Sequence, residues 1–309
     1  MDILTEALAS MRTGSPASCR TVGRAPWGLR LPPVAGAGFH VVLHGTCWLV
    51  PPGGVAPIPL GPGDVVFVRD GASVVLADQP STPALDPATS ETVHGGSPVG
   101  SLVVGGDGPP TSLLCGNYHL DRGRPHPLVQ RLPEIIHLPA RHGRHPELSS
   151  TVTLLGAELD NPRIGSDGIM QALIDSLLLY ILRAWLDDQP ADAARGWAAA
   201  LRDTAVAPAL DAIHRDPAAP WTVESLAGSS GLSRAAFARR FSTLVGEPPM
   251  AYLTRWRMTT AAQLLRESDV PLTKVAARTG YGSEFAFAKA FKREFGLAPG
   301  GYRQQTRVA

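Results

Sequence analysis

The chain has 309 residues, 44% of them hydrophobic, and a formal net charge of +1 at pH 7. This length allows two domains with separate cores, and no apolar run approaches the roughly 20 residues that cross a bilayer, so we expect no membrane partner. The start, MDILTEALASMRTG, lacks a basic stretch followed by an apolar one, so a secretory signal is not expected and a cytoplasmic location is.

Residues 1–140 are rich in glycine and proline and contain several short runs of β-type residues separated by turn signals such as PPGG and GPGD. Many short strands joined by tight turns are typical of a small barrel or sandwich. The predicted strands are FHVVLHGTCWLV (39–50), GDVVFVRD (63–70), SVVLAD (73–78), SLVVGG (101–106) and TSLLCGNYHL (111–120).

Residues 146–188 predict two helices that connect this region to the rest of the chain. The second helix, GIMQALIDSLLLYILRAWL, is apolar on most of its circumference, with Leu177 and Ile181 on its main face. A helix this apolar must be buried on several sides. It packs either on the barrel or against the same helix of a second subunit, and we expect a homodimer.

Residues 197–309 are predicted to be helical and to contain a repeat. Each copy predicts a short helix, a turn centred on glycine, a serine-capped helix and a glycine stop, which is a helix-turn-helix motif. PMAYLTRWRMTTAAQLLRES (249–268) forms a helical spacer between the copies. The matched pairs are Leu226 with Val275, Ala227 with Ala276, Gly231 with Gly280, Phe237 with Phe287, Phe241 with Phe291, Gly246 with Gly296, Pro249 with Pro299 and Tyr252 with Tyr302.

The second helix of such a motif enters the major groove of DNA. Aromatic residues four apart anchor each helix to its own subdomain, and the opposite side is free to face DNA. Arg239 and Lys289 occupy the inner turns and are the predicted base contacts. Four further basic residues contact phosphate or are solvated: Arg240, Lys292, Arg255 and Arg257. The remaining side chains predicted to face DNA are Arg234, Ala235, Ala238 and Ser242 on the first helix, and Ser283, Glu284, Ala286 and Arg293 on the second.

The charge distribution also favours the C-terminal part of the chain as the region that binds DNA. Residues 197–309 hold 15 Lys and Arg against 9 Asp and Glu, whereas residues 1–196 hold 13 against 18. A basic C-terminal third beside an acidic remainder indicates that double-stranded DNA meets only that third. Two recognition helices on a fixed spacer should bind successive major-groove segments about 34 Å apart.

Segment 200–303 resembles the DNA-binding domain of the AraC/XylS family, through WTVESLAGSSGLSRAAFARRFSTLVGEPPMAYL, TRWRMTTAAQLL and KVAARTGYGSEFAFAKAFKREFGLAPGGYR. The N-terminal part resembles the cupin-type sensor domain of one branch of that family, through PWG, LGPGDVVFV and LLCGNYHL. The resemblance implies a transcription regulator, usually an activator, that contacts RNA polymerase. The expected fold is α+β: a cupin-like β-barrel (1–140), a helical connector (146–188) and an all-α domain with two helix-turn-helix motifs (197–309).

Two histidines are candidates for an effector or metal site in the barrel. Residues 40, 42 and 44 share a face of a regular strand, so His40 and His44 could converge. Cupins often bind metal through a His-x-His pair, a Glu and a later His, but this set is incomplete here and Val74 stands where the later His is often found. We therefore expect no metal and no other cofactor, and hydrogen-bonded barrel histidines are the alternative.

Cysteines are the second kind of sensor candidate. Cys47 and Cys115 lie in predicted strands beside glycine, and with Cys19 they are too few for a disulfide framework or a zinc finger. Buried free cysteines are usually inert, whereas a redox sensor needs an accessible thiolate. Sensing of an oxidant and binding of a small-molecule effector near His40, Trp48 and Phe67 both stay open.

Two functions from different classes follow. The first is a sequence-specific DNA-binding regulator with a sensor barrel, which is not an enzyme. The second is a cupin-type metal-dependent enzyme with a helical accessory domain. The duplicated helix-turn-helix favours the regulator, and the incomplete ligand set argues against the enzyme.

Overall fold

The computed structural model describes the chain except for residues 1–2, 13, 15, 33–35, 70–71, 87–91, 94–98, 121–125, 191–194, 229 and 309. The chain divides into two compact units. The sheet unit comprises Arg12–Arg122 and Leu132–Asp188. The helical unit comprises Met1–Met11, Gly123–Arg131 and Gln189–Ala309. The α+β class predicted from the sequence is confirmed.

The sheet unit contains two sheets whose strands are joined largely by tight turns. One sheet has the order β11-β6-β3-β10-β1-β9-β8 and the other the order β2-β7-β4-β5. All pairings are antiparallel except that of β1 with β9. The strands are β1 (Ala17–Arg24), β2 (Gly28–Leu31), β3 (Ala37–His44), β4 (Cys47–Val50), β5 (Ile58–Leu60), β6 (Val65–Arg69), β7 (Val74–Ala77), β8 (Thr92–Val93), β9 (Val99–Gly105), β10 (Pro110–Tyr118) and β11 (Ile135–Leu138).

A continuous apolar core lies between these strands. β3 is buried along its whole length except for its last residue, because neighbouring strands cover both its edges and side chains cover both its faces. Asp64 fixes the turn before β6, since its carboxylate accepts hydrogen bonds from the backbone N–H groups of Gly61 (3.0 Å) and Ala140 (2.7 Å). The core side chains include Trp27, Leu49, Val66, Leu76 and Leu113.

Two helices complete the sheet unit, α3 (Pro146–Asp160) and α4 (Ser166–Asp187), and they confirm the helices predicted from the sequence. α4 is long and apolar enough to cross a membrane by length and composition alone. However, Leu177 and Ile181 are fully buried, and the Tyr118 hydroxyl donates a hydrogen bond to the Ile174 carbonyl at 2.7 Å. This burial is typical of a core helix.

The helical unit consists of ten helices within the described residues. Eight of them follow one another in the C-terminal part, and two come from segments that the sequence analysis assigned to the barrel. The helices are α1 (Ile3–Met11), α2 (Pro127–Gln130), α5 (Trp197–Arg202), α6 (Val206–Arg215), α7 (Val223–Ala227), α8 (Arg234–Val245), α9 (Pro249–Glu267), α10 (Leu272–Arg278), α11 (Glu284–Phe295) and α12 (Pro299–Val308).

The N-terminal helix α1 packs on α6 and α9. Its contacts use Ile3, Ala7 and Leu8, which are buried and recur at the spacing of one helix face. The core around α6 and α9 therefore includes a helix from the N-terminal end of the chain.

Candidate nucleic-acid interface and ligand cavity

The first helix-turn-helix motif is formed by α7 and α8. Thr222 and Ser225 form a reciprocal capping box at the start of α7, with side chain–backbone distances of 3.0 and 2.9 Å. Gly231 takes a positive φ of 66° in the turn, a conformation that side chains disfavour. The Ser233 hydroxyl accepts a hydrogen bond from the Ala236 N–H at 3.3 Å, so α8 starts where the sequence predicts.

α8 has one buried and one exposed side. Phe237 and Phe241 are fully buried; their rings contact each other, and the Phe241 ring also contacts Tyr252 of α9. The apolar stripe that anchors this recognition helix is therefore the predicted one. The exposed side presents Arg234, Ala235, Arg239, Arg240 and Thr243.

Two predicted DNA contacts on α8 already have partners within the helical unit. The Arg240 guanidinium pairs with Asp203, with N–O distances of 2.7 and 2.5 Å. Burial raises the pKa of Asp203, but the Arg240 guanidinium and the backbone N–H groups of Val206 and Ala205 outweigh it and hold that pKa below its usual value. Ser242 is half-buried and donates to the Ala238 carbonyl at 2.8 Å. Arg240 therefore joins α8 to the start of α6.

The second motif, α10 and α11, repeats this arrangement. The Ser283 hydroxyl accepts from the Ala286 N–H at 3.2 Å and caps α11. Phe287 and Phe291 are fully buried and face the α9 side of the unit. Gly296 ends the helix with a φ of 75°, as Gly246 ends α8 with a φ of 93°.

The exposed side of α11 carries all the polar residues predicted to face DNA: Ser283, Glu284, Lys289, Lys292 and Arg293. It also carries Phe285, whose side chain is 81% exposed and which the sequence analysis did not single out. The signal was present, because Phe285 lies off the period-four stripe that buries the other aromatic residues of this helix.

Two further arginines predicted to contact phosphate or solvent instead stabilise the helical unit. Arg257 donates to the carbonyls of Pro217 (2.7 Å) and Ala219 (2.9 Å), beside the turn at Gly280. Arg255 forms an ion pair with Glu247. Both arginines are therefore occupied as structural side chains of the spacer helix.

A buried polar chain connects α1, α6, α9 and the residue before α2, and the sequence analysis missed it. The Leu128 N–H donates to Nδ1 of His126 at 3.2 Å, so the His126 proton is on Nε2. That Nε2 lies 3.0 Å from the Tyr252 hydroxyl, which lies 2.6 Å from Nε2 of His214. Nδ1 of His214 lies 3.3 Å from a carboxylate oxygen of Glu6 in α1. The donated protons therefore point in one direction, from His126 through the Tyr252 hydroxyl to His214, whose Nδ1 faces the Glu6 carboxylate.

Both imidazoles in this chain are held neutral. Burial lowers the pKa of His126 well below its usual value, and the neighbouring His214 and Arg255 disfavour a second positive charge there and lower it further. Burial also lowers the pKa of His214, although Glu6 opposes this effect. The indole of Trp256 stacks on His214 at a ring-centre distance of 3.9 Å and excludes water from it.

The sheet unit contains a cavity of about 270 Å³. Its walls are mainly apolar, and include Leu31, Pro32, Val68, Ala72 and Val74. Three adjacent strands bring together Cys19, Cys115 and His40. Cys115 of β10 pairs with Cys19 of β1 on one side and with His40 of β3 on the other. Cys19 was not predicted as a site residue, since β1 lacks the apolar alternation that revealed the later strands.

His40 gives this cavity its most distinctive polar group. The side chain is buried, and its Nδ1 has no hydrogen-bond partner among the described residues. Burial lowers the pKa of His40 to about 4, so the ring is neutral at pH 7. Burial also raises the pKa of Cys115 to about 12 and raises that of Cys19, so both thiols keep their protons.

The other predicted sensor residues lie elsewhere. His44 does not converge with His40, because the pairing of β3 with β10 shifts register between Ser112 and Leu113 and turns His44 to the outer face. There it lies 3.3 Å from Asp160 of α3. Cys47 is buried in the core with a pKa raised by burial to about 12, and Trp48 lies half-buried on β4.

Among the described residues, no group of three His, Cys, Asp or Glu side chains is placed to hold a metal ion.

Comparisons with known proteins agree with this architecture. The cupin family model matches residues 2–187, and a helix-turn-helix domain model matches residues 226–305. A putative AraC-like transcription regulator of Streptomyces lividans is 36% identical over 98% of both chains. The transcriptional regulator AlkR of Acinetobacter baylyi is 32% identical over 86% of this chain and 87% of its own length. The transcriptional regulator MtrA of Neisseria gonorrhoeae is 30% identical over 99% of both chains. The chain therefore belongs to the AraC-like transcription regulators that combine an N-terminal cupin domain with a C-terminal helix-turn-helix domain.

Proposed function

We propose that the chain is a cytoplasmic, homodimeric activator that binds double-stranded DNA through α8 and α11 and responds to a small molecule bound in the sheet unit. The observation that carries the DNA-binding part is the repeat of one geometry. Each recognition helix is capped by a serine, anchored by two buried phenylalanines and exposes a basic residue at the same position, Arg239 or Lys289. Family membership supports RNA polymerase as a further partner.

The DNA contacts divide by role. Arg239 and Lys289 lie in the middle of the exposed faces and contact base edges, guanine O6 and N7 being the favoured acceptors. Arg234 lies one turn before the middle of α8, and Lys292 and Arg293 lie in the last turn of α11, where phosphate contacts fix the register. Arg240 contributes to binding mainly through its ion pair with Asp203, which positions α8.

The test compares alanine variants on specific and random DNA at fixed salt. Arg239→Ala and Lys289→Ala should each weaken binding to the selected site by about 1–3 kcal/mol while leaving binding to random DNA nearly unchanged. Arg240→Ala is the matched control: it should lower both affinities together, in proportion to a loss of thermal stability. Equal loss on both DNAs for all three variants would contradict the assignment of base contacts.

The cavity beside His40 favours a small, mostly apolar effector with one group that hydrogen-bonds to an imidazole nitrogen. The walls supply apolar contact, and the buried Nδ1 of His40 supplies an acceptor or donor that otherwise stays unsatisfied. A redox signal is less favoured by the structure, because a buried thiol with a raised pKa forms little thiolate at pH 7.

Effector and oxidant are separated by two variants of the full chain. A library of small apolar compounds is screened by native mass spectrometry, and binders are tested for an effect on DNA affinity. His40→Leu should abolish the effect of a binder, and Cys115→Ser should retain it. An effect of hypochlorite or peroxide on DNA affinity that disappears in Cys115→Ser would instead establish the thiol mechanism and refute the effector.

The cupin-type enzyme is the less favoured function. Helices with the surface of α8 and α11 have no role in an enzyme of that kind, whereas a regulator requires them. The sheet unit does carry a candidate dimer surface, because Leu154, Ile164 and Ile169 of the α3–α4 hairpin are 54%, 106% and 45% exposed. We place the dimer interface there, and not at Leu177 and Ile181.

A further inference from the structure

Phe285 is the most exposed large aromatic side chain in the described residues, at 81%. It lies in the first turn of α11, two residues after the serine that caps this helix. The other three phenylalanines of α11 do not share its side: Phe287 and Phe291 are fully buried, and Phe295 stacks on Phe291 at 4.5 Å. Phe285 therefore contributes nothing to the apolar stripe that holds the helix in place.

The position of Phe285 relates it directly to the proposed base contact. Phe285 and Lys289 are four residues apart on one helix, so their side chains are neighbours on the same exposed face. Recognition helices of this type contact base edges with residues near their N-terminal ends. A phenyl ring one turn before Lys289 is thus at the part of the helix that approaches the floor of the groove.

The two motifs differ at this position. The repeat offset of 50 residues pairs Phe285 with Ala235, just as it pairs Lys289 with Arg239. Both Ala235 and Phe285 are exposed, but alanine offers one methyl group where phenylalanine offers a whole ring. The halves of the binding site should therefore differ in the apolar contact that they give to the protein.

The largest apolar group that base pairs present in the major groove is the C5-methyl group of thymine. We propose that Phe285 is a specificity-determining residue that packs on a thymine methyl in the half-site bound by α11. The inference rests on the proposed binding of DNA through α8 and α11. It adds a second specificity determinant to Lys289 and explains why a large apolar side chain is left in water in the free protein.

The test is a double-mutant cycle between protein and DNA, carried out with the full chain and a site selected by the wild-type protein from genomic fragments. Each thymine of the site is replaced in turn by deoxyuridine, which lacks only the methyl group. Removing the contacted methyl should weaken wild-type binding about fourfold, the effect expected for one buried methyl group. The same replacement should have no effect on the Phe285→Ala variant.

Phe285→Ala should itself bind the selected site about tenfold more weakly than the wild type and random DNA equally well. Phe285→Leu should recover part of the loss. Met250→Ala is the matched control, since Met250 is an exposed apolar residue on α9, outside both recognition helices. Equal melting temperatures exclude misfolding, which is not expected for so exposed a side chain.

Three outcomes would overturn the inference: a methyl effect of equal size in wild type and Phe285→Ala, no methyl effect at any position, or unchanged site affinity of Phe285→Ala. If Phe285→Ala keeps its DNA affinity but loses transcription activation, the ring contacts a protein partner and not DNA. Failure of the proposed function gives a different result, because the wild-type protein would then not distinguish the selected site from random DNA.

Discussion

The Tyr252 hydroxyl connects two buried imidazoles, so removing this one oxygen tests the buried polar chain of the helical unit. In Tyr252→Phe, the Nε2–H of His126 loses its acceptor and Nε2 of His214 loses its donor. Tyr252 is 1% exposed and His126 and His214 are each 4% exposed, so water does not replace the hydroxyl. The phenyl ring itself is retained, and the variant therefore isolates the hydrogen bonds from the packing.

The size of the effect follows from the number of hydrogen bonds lost. Removing one partner of a buried hydrogen bond costs about 1–3 kcal/mol, so the loss of two such bonds should lower the free energy of unfolding by about 2–6 kcal/mol. For a unit of this size we expect the melting temperature to fall on the order of 10 °C. A loss this large is a substantial fraction of the roughly 5–15 kcal/mol that stabilise a typical domain.

The matched control comes from the internal repeat. Tyr302 is the counterpart of Tyr252 in the second motif, and its hydroxyl accepts a hydrogen bond from Arg266 at 2.9 Å. Tyr302 is only half-buried, so water can satisfy Arg266 after Tyr302→Phe, and we expect a loss of at most about 1 kcal/mol. Hydrogen exchange of peptides from α1, α6 and α9 locates the effect within the helical unit.

The buried histidines of this polar chain also predict that the stability of the helical unit depends on pH. Burial lowers the pKa of both His126 and His214 in the folded protein, whereas an unfolded histidine has a pKa of about 6.5. Below that pH the unfolded chain binds more protons than the folded one, so stability is full above about pH 6.5 and falls as the solution is acidified. Protection of α6 and α9 should therefore decrease from pH 7 to pH 5. The reasoning is refuted if Tyr252→Phe costs no more than Tyr302→Phe and protection is constant over this range.

Three further predictions concern boundaries, the dimer and a turn. A fragment of residues 197–309 should fold and bind DNA with an affinity that falls steeply as the salt concentration rises. It should melt at a lower temperature than the helical unit in the full chain, because it lacks Glu6 and His126. Equal protection of α9 from hydrogen exchange in the fragment and the full chain would contradict this. Sedimentation should show that Ile164→Asp is a folded monomer and that Leu177→Asp is unfolded, because Ile164 is exposed and Leu177 is buried. A folded dimer for Ile164→Asp would refute the proposed interface. Gly280→Ala should destabilise the second motif by more than about 1 kcal/mol, because φ is 75° and a Cβ would meet Arg257, whereas Gly282→Ala should be neutral in a thermal melt.

The recognition helices were predictable because their signals are local. In each motif the serine cap, the period-four phenylalanines and the glycine stop lie within 14 residues, Ser233–Gly246 or Ser283–Gly296, and each acts on the helix beside it. Phe285 lies off this stripe of phenylalanines, and its position in the sequence therefore already indicated that its side chain is exposed. The roles of Arg240 and Arg257 were not predictable, since Asp203 and the Pro217 carbonyl lie about 40 residues away along the chain.

The cavity beside His40 shows a different limit of prediction from the sequence. Alternation along β3 predicts that His40 and His44 share a face, and it would be correct for a regular strand. One register shift beside Leu113 reverses the side on which His44 emerges, while His40 keeps its place beside Cys115. A bulge leaves no reliable mark in a single apolar sequence, so the pairing of His40 with Cys19 and Cys115 emerges only once the strand order is known.

The domain boundary is the point at which local patterns and long-range contacts differ most. Composition places residues 1–140 together, because glycine, proline and β-type residues run throughout them. Yet His126 hydrogen-bonds to Tyr252, Tyr252 to His214, and Glu6 lies 3.3 Å from His214. The polypeptide passes from one compact unit to the other at residues 11–12, 122–123, 131–132 and 188–189. A single cut at residue 197 leaves His214 and Tyr252 without two of their partners. Two segments that precede and follow most of the sheet-unit strands, Met1–Met11 and Gly123–Arg131, are therefore structural parts of the DNA-binding half. A truncated DNA-binding domain lacks this part of its own core.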